Sequence, residues 1–211
     1  ALALATVAWA QTPVDETRSV GPKDSSEIFN VKGKIEVQGW DRNEVRVTGT
    51  LGKNVERLQF EHDDDETEIR VINPKNGWRV GESDLVIQVP ATNLVHVECV
   101  SGSIDVRDVR ADLELRTVSG SVRVTNCAGD VKAESVSGSV NLDGDFGEVE
   151  AQTVSGSVRV KTVRDEVSPK SHEWGYRLGS VYIRKVHFRD LGMIKQIEEK
   201  VVNRLRQVTS A

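Results

Sequence analysis

The 211-residue sequence predicts an all-β fold: a solenoid-like β-helix of stacked 18-residue coils with short parallel strands, preceded by an N-terminal part of longer strands and followed by a helical C-terminal cap. Three observations predict it. A five-residue pattern occurs four times at one fixed step, and apolar residues alternate within each unit. Aromatics make up only 5% of the chain, so many short strands suit it better than an aromatic-filled pocket. A chain of this length can bury one substantial core, or one core plus a small appendage.

The repeat is the strongest element. Val100-Ser101-Gly102-Ser103-Ile104 recurs as Val118-Ser119-Gly120-Ser121-Val122, as Val136-Ser137-Gly138-Ser139-Val140 and as Val154-Ser155-Gly156-Ser157-Val158. A second pattern keeps the same step: Leu113-x-Leu115, Val131-x-Ala133, Val149-x-Ala151. Period-two alternation means half-buried strand. Val118, Gly120, Val122 and Val124 are expected to point inward, and Val131 and Ala133 inward with the opposite parity. The phase then slips between Ser135 and Val136, at a bend or bulge. Gly138 and its equivalents are expected on the inward side of that corner, where a side chain would crowd it. Asn126, Gly129, Gly144 and Gly147 supply turn chemistry at the other corner. Two strands and two turns per coil stack at about 4.8 Å, in right- or left-handed sense.

Charge supports this register. Residues 18 apart become lateral neighbours, where like charges are unfavourable. The columns expected outside are Glu98-Arg116-Glu134-Gln152, Asp105-Arg123-Asn141-Arg159, His96-Glu114-Lys132-Glu150 and Arg107-Thr125-Asp143-Lys161. No adjacent pair carries like charges. As exposed pairs each contributes about 0.2–1 kcal/mol.

Upstream, Val31-Lys32-Gly33-Lys34-Ile35-Glu36-Val37 parallels the repeat, with Glu44–Thr48 as its expected partner strand after the turn Gly39–Asn43. Arg57–Glu61 and Glu68–Ile72 flank an acidic turn, and Leu85–Pro90 and Leu94–Glu98 lead into the first coil. Residues 27–163 therefore read as one β domain. The motifs V-x-G-x-I-x-V, then W-D-x-x-x-V-x-V, a strand ending in Val89-Pro90, and repeated S-G-S-V resemble the bacterial putative-adhesin family of β-strand-repeat domains. The resemblance covers about Phe29 to Val163. It implies an exported β-repeat fold and brings no active site.

The ends differ from this middle. Residues 1–10 are apolar and close on Ala8-Trp9-Ala10, a small-x-small pattern that reads as a signal-peptide remnant. Export to the periplasm, outer envelope or cell surface is the expectation. Residues 1–160 hold 17 Lys+Arg against 27 Asp+Glu, whereas residues 161–211 hold 11 against 6, so 164–211 is a distinct segment. Leu191, Ile194, Ile197, Val201, Leu205 and Val208 place a helix at about 191–208, with Asp190 as its cap. With Trp174–Phe188 it reads as a cap on the open stack end, as a basic membrane-surface or partner helix, or as a foreign or frame-altered segment.

Candidate chemistry is sparse. Asp63-Asp64-Asp65-Glu66 lacks the spaced ligands of a calcium loop and reads as a solvated hairpin tip. Asp143-Gly144-Asp145 reads as a turn. Cys99 and Cys127 have no metal or redox spacing, fall at non-equivalent coil positions and are expected as free thiols. His62, His96, His172 and His187 show no ligand or triad spacing. Trp40 and Trp78 read as core or edge cover. No catalytic residue, cofactor or metal is predicted, and a net charge of −5 gives no reason to expect nucleic acid.

Two serine columns, Ser101, Ser119, Ser137, Ser155 and Ser103, Ser121, Ser139, Ser157, make the candidate interaction face, a hydroxyl-rich surface for a protein or glycan partner. Small β-compatible residues at a tight corner would look the same. Three functional readings follow: a non-catalytic adhesion, scaffolding or interaction module; a carbohydrate-active or carbohydrate-binding β-helix, for which Asp105, Asp108 and Asp112 are the candidate carboxylates; and an envelope-stress sensor or regulatory partner met through a strand edge. Membrane contact is expected only through the C-terminal helix.

Overall fold

The protein, represented by a computed structural model, is described for residues 11–74 and 80–161, with the backbone of Thr162 and of three short strands between 166 and 185. The strands are β1 (Thr12–Ser19), β2 (Ser25–Lys32), β3 (Ile35–Trp40), β4 (Glu44–Leu51), β5 (Arg57–Asp63), β6 (Glu66–Ile72), β7 (Asp84–Pro90), β8 (Leu94–Ser101), β9 (Ile104–Arg107), β10 (Leu113–Ser119), β11 (Val122–Ser137), β12 (Val140–Ser155), β13 (Val158–Thr162), β14 (Glu166–Val167), β15 (Tyr176–Leu178) and β16 (Val181–Lys185). Every regular element among the described residues is β, and all pair into one sheet.

That sheet folds into two layers around one apolar cluster. The first layer runs β5-β6-β2-β8-β10, then the second halves of β11 and β12, then β16 and β15. The second runs β1-β4-β7-β3-β9, then the first halves of β11 and β12, then β13 and β14. The middle pairings are parallel, and the outermost pairs at each end are antiparallel. The 18-residue step is direct: Leu113 pairs Val131, Val131 pairs Val149, and Val122 pairs Val140. Solenoid stacking is thus borne out.

From β7 onward the chain alternates between layers. Each coil turns at a glycine corner (Gly102, Gly120, Gly138, Gly156) and at a wider corner (126–130 in β11), where the ladder shifts register. Valine, the commonest apolar residue of the repeat, suits these strands because its branched Cβ packs well on a pleated surface. Val122, Val124, Val131, Ala133, Val140 and Leu142 are all fully buried in the common cluster.

Three expectations need correction. First, the phase slips later than predicted. Ser135 is still buried, Val136 and Val118 are only half-buried outside the core cluster, and parity changes at the glycine itself. These valines follow Arg116 and Glu134 onto the outer face of the first layer, because Leu113, Leu115 and Thr117 already hold the inward positions. Second, β4 is not the neighbour of β3. β7 lies between them, parallel to β3 and antiparallel to β4. The β2–β3 unit is nevertheless a true coil: Ile35 pairs Ile104 and Val37 pairs Val106. It is inserted in space between strands much later in sequence. Third, the column Glu98-Arg116-Glu134-Gln152 is sheltered, with Glu98 only 1% and Gln152 5% exposed.

At the C-terminal end, β16 adds a parallel strand to the first layer, Val149 pairing Val181, a step of 32 residues where the coils use 18. The predicted helix at 191–208, the apolar residues 1–10 and Trp78, Trp174, His172 and His187 lie outside the described residues.

Candidate interaction surface

The glycine corner positions the serines. Gly102, Gly120 and Gly138 donate their N–H groups to Ser119, Ser137 and Ser155 carbonyls at 2.8, 3.0 and 3.0 Å. Ile104, Val122 and Val140 donate to Ser121, Ser139 and Ser157 at 3.0, 2.9 and 2.8 Å. The backbone ladder therefore continues through the bend. A Cβ on Gly102, Gly120, Gly138 or Gly156 would lie 1.8–2.1 Å from the carbonyl oxygen of the glycine in the preceding coil. What excludes a side chain is the backbone of the preceding coil rather than the interior, contrary to the sequence reading.

A second ladder braces the corner from inside. Thr117 Oγ1, Ser135 Oγ and Thr153 Oγ1 donate to the carbonyls of Gly102, Gly120 and Gly138 at 3.1, 3.1 and 2.8 Å. All three are fully buried, so each hydroxyl satisfies a carbonyl that the bend would otherwise leave short. Cys99 occupies the same column one coil earlier and is also fully buried. Burial pushes its thiol up to about 12. Cys127 sits buried at the wide corner, its thiol also raised by burial, and neither cysteine is bridged.

With backbone and interior hydroxyls engaged, the V-S-G-S serines face outward. Ser101, Ser119, Ser137, Ser155, Ser103, Ser121 and Ser157 are exposed, and Ser139 is half-buried. Ser101 pairs Ser119, Ser119 pairs Ser137, and Ser137 pairs Ser155 across the stack. The two columns form a ridge along one edge of the stack rather than a broad flat face. Ser157 donates to Ser139 at 3.1 Å.

The wide corner is held by side chains. Asp112 Oδ1 accepts the N–H of Asp130 at 2.9 Å, and Asp130 Oδ1 accepts that of Glu148 at 2.8 Å. Asn126 donates to Asp108 Oδ1 at 2.6 Å, and Arg123 pairs Asp105 at 3.7 Å. The three carboxylates considered for sugar chemistry thus have separate structural partners. They do not converge on one groove.

Cross-coil ion pairs occur at the 18-residue step: Arg116 with Glu98 and with Glu134, both at 3.2 Å, Lys132 with Glu150 at 3.4 Å, and Lys161 with Asp143 at 3.4 Å. His96 lies between Glu98 (3.0 Å) and Glu114 (3.3 Å). Burial would raise the Glu98 carboxyl, but His96 and Arg116 hold it below the usual carboxylate range. Asp63–Glu66 closes the β5–β6 hairpin at the surface. Among the described residues no group of three His, Cys, Asp or Glu could hold a metal. Trp40 is half-buried and donates to the Glu44 carbonyl at 2.8 Å.

The sequence reading missed the sheltered outer face of the first layer. Glu114 and Arg116 face outward as predicted, but the sequence alone does not say whether that parity carries on through the corner to Val118.

None of the curated proteins matches this chain. Several solved structures are similar to it. A "putative cell adhesion protein" from Clostridium sporogenes is 12% identical, covering 72% of this chain and 100% of its own, with a TM-score of 0.49. A "putative adhesin" from Bacteroides fragilis is 13% identical, covering 85% and 96%, with a TM-score of 0.36. One from Parabacteroides distasonis is 12% identical, covering 73% and 84%, with a TM-score of 0.33. The Toastrack DUF4097 family model matches residues 22–177, the coils and the strands before them together, and the motif-based resemblance is borne out: this chain belongs to the Toastrack DUF4097 family.

Proposed function

We propose that this chain is a non-catalytic, exported envelope or cell-surface module that binds a protein or glycan partner along the serine ridge. One observation carries the reading. The ridge hydroxyls are presented at a fixed spacing on a backbone whose own hydrogen bonds are already made, so a partner meets a pre-ordered row of donors and acceptors. Export is supported by the apolar residues before Gln11. The carbohydrate-active reading is weakened by the separate engagement of Asp105, Asp108 and Asp112. Recognition through the β1 edge is weakened by Pro13, Asp15, Glu16 and Arg18, residues that blunt a free strand edge.

The test is a glycan array and a pull-down with the full chain, repeated with Ser119→Lys and Ser155→Lys together. The substitution is expected to weaken the captured partner about tenfold or more, a loss of about 1.4 kcal/mol. Unchanged binding would remove the ridge from the interface. Glycan turnover would instead make the molecule an enzyme.

A further inference from the structure

The outer faces of the two layers are unlike. On the second, three of the four cross-coil partners stand in solvent: the Arg123 side chain is 65% exposed, Lys161 61% and Asp143 56%, with Asp105 at 20%. On the first, Lys132 and Glu150 are 39% and 40% exposed, but the next column toward the glycine corner is sheltered: Arg116 is 15% exposed, Glu134 12% and Glu98 1%. Beside these charges runs an apolar stripe. Val31, Val100, Val118, Val136 and Val154 share parity with the outward Phe29, Glu98, Arg116, Glu134 and Gln152, and the register of β2, β8, β10, β11 and β12 sets them side by side. Continuing the β2–β6 register adds Ile72. Phe29, Ile72 and Val154 are buried, at 1%, 8% and 6%, yet none belongs to the interior cluster. An apolar row on the outside of a sheet marks a contact surface.

We infer that the outer face of the first layer is the docking surface of this chain's own C-terminal segment, residues 191–208, seated along the Val31–Val154 stripe. Three further observations select this occupant. Its sequence predicts a helix with one apolar face, Leu191, Ile194, Ile197, Val201, Leu205 and Val208, which matches a row of valines. Charge is complementary: across the Glu98-Arg116-Glu134 column from the stripe lies an open depression of about 540 Å³ lined by Glu27, Glu114, Glu150, Asp112, Asp130 and Glu148 with Lys132. The segment carries Lys195, Lys200, Arg204 and Arg206 against Glu198 and Glu199. Finally, β16 joins the first layer, so the chain leaves that layer at Lys185, six residues before Leu191.

The lengths agree. Six stripe residues at a strand spacing of about 4.8 Å span about 24 Å. An 18-residue helix is about 27 Å long. Six extended residues reach about 20 Å, enough to bring Leu191 back over the sheet from its β16 edge. The inference stands apart from the ridge proposal, because it concerns the face rather than the corner. The sequence reading of this helix as a cap on the stack end is the rival.

Paramagnetic relaxation tests it on the full chain. Asn203, opposite the apolar face of the predicted helix, is changed to Cys and spin-labelled. Cys99 and Cys127 are buried and their thiols raised, so the new site takes the label. Docking predicts the strongest loss of amide signal at residues 95–101, 113–119 and 131–137, with much weaker loss at Ile104–Arg107 and Val122–Thr125. Adding Ile197→Asp to the labelled chain should abolish that loss and leave the strand spectrum otherwise unchanged. Loss confined to β14, β15 and β16 would overturn the inference in favour of an end cap. Loss seen only between labelled and isotope-marked copies would assign the face to a second molecule. No loss, or loss that survives Ile197→Asp, would reject docking through the apolar face.

Discussion

Each coil of this molecule turns twice, and the two corners do it by different means. At the glycine corner the backbone of one coil comes so close to the next that a Cβ cannot be accommodated. At the wide corner the coils are linked through side chains, Asp112 to Asp130 and Asp130 to Glu148. The glycine corner is specified mainly by missing atoms; the wide corner adds side-chain links, although there too a Cβ on Gly129 or Gly144 would meet backbone of the preceding coil, at 2.8 Å from Ala111 and 2.3 Å from Cys127. The difference teaches where the repeat must be strict. The glycine recurs at every step, while the wide corner changes from Arg110-Ala111-Asp112 to Ala128-Gly129-Asp130 and Phe146-Gly147-Glu148, the ladder shifting register there and resuming at Val131.

The largest expected effect comes from breaking the stricter corner. In Gly138→Ala the new methyl would lie 1.9 Å from the Gly120 carbonyl oxygen and 2.5 Å from its carbon. Both are backbone atoms, so two coils must separate, and the hydrogen bond from Thr153 to the Gly138 carbonyl is disturbed with them. A loss of about 3 kcal/mol is expected in denaturant unfolding. The neighbouring Ser137→Ala, at an exposed position, should stay within about 0.5 kcal/mol. Equal effects at the two positions would mean that coil contact does not set the repeat.

This asymmetry explains what was legible in the sequence. Four glycines at one spacing reveal the coil, and the charge columns confirm its register, because both depend on residues 18 apart. The direction of Val118 and Val136 was not legible. An alternation of small and apolar residues through a corner fits either face, and only the hydroxyls of Thr117 and Ser135, reaching inward to glycine carbonyls, settle the parity. Nor was the place of β7 between β3 and β4, since that pairing joins Arg46 to Gln88 across the whole β5–β6 excursion. The exposure of the serines was legible. The sheltered charges of Glu98 and Arg116 were not, because polarity alone says nothing of what lies over a residue.

The wide corner should break more gently. Asp130→Ala removes the acceptor of the Glu148 N–H and leaves that donor at an exposed site where water replaces it. A loss of about 1 kcal/mol is expected, with the folded spectrum retained. Asp130→Asn keeps a side-chain oxygen and should recover most of that loss. If Asp130→Ala proves as damaging as Gly138→Ala, the corners are equally constrained and the contrast fails.

A small effect at neutral pH is the most informative about the glycine corner. Cys99 stands where Thr117, Ser135 and Thr153 stand in later coils. A Cβ on Gly102 would lie 1.8 Å from the Gly33 carbonyl oxygen, which puts that oxygen where the Gly102 carbonyl lies for Thr117. Cys99→Ser should therefore extend the hydroxyl ladder by one member and change stability by no more than about 1 kcal/mol. Alkaline pH separates the two side chains. Burial pushes the Cys99 thiol up from its ordinary 9.0 to about 12, so its contribution to stability is complete below the lower value and falls as pH rises toward the upper. Over that window each pH unit should lower wild-type stability by about 1.4 kcal/mol through this group. Cys99→Ser lacks a titrating group at the position, so the difference between the two proteins should grow in the variant's favour from pH 9 upward. Parallel stability curves through this range would show that the thiol is not held inside the stack. A large loss already at pH 7 would show that the first coil turns without the bracing that its successors use.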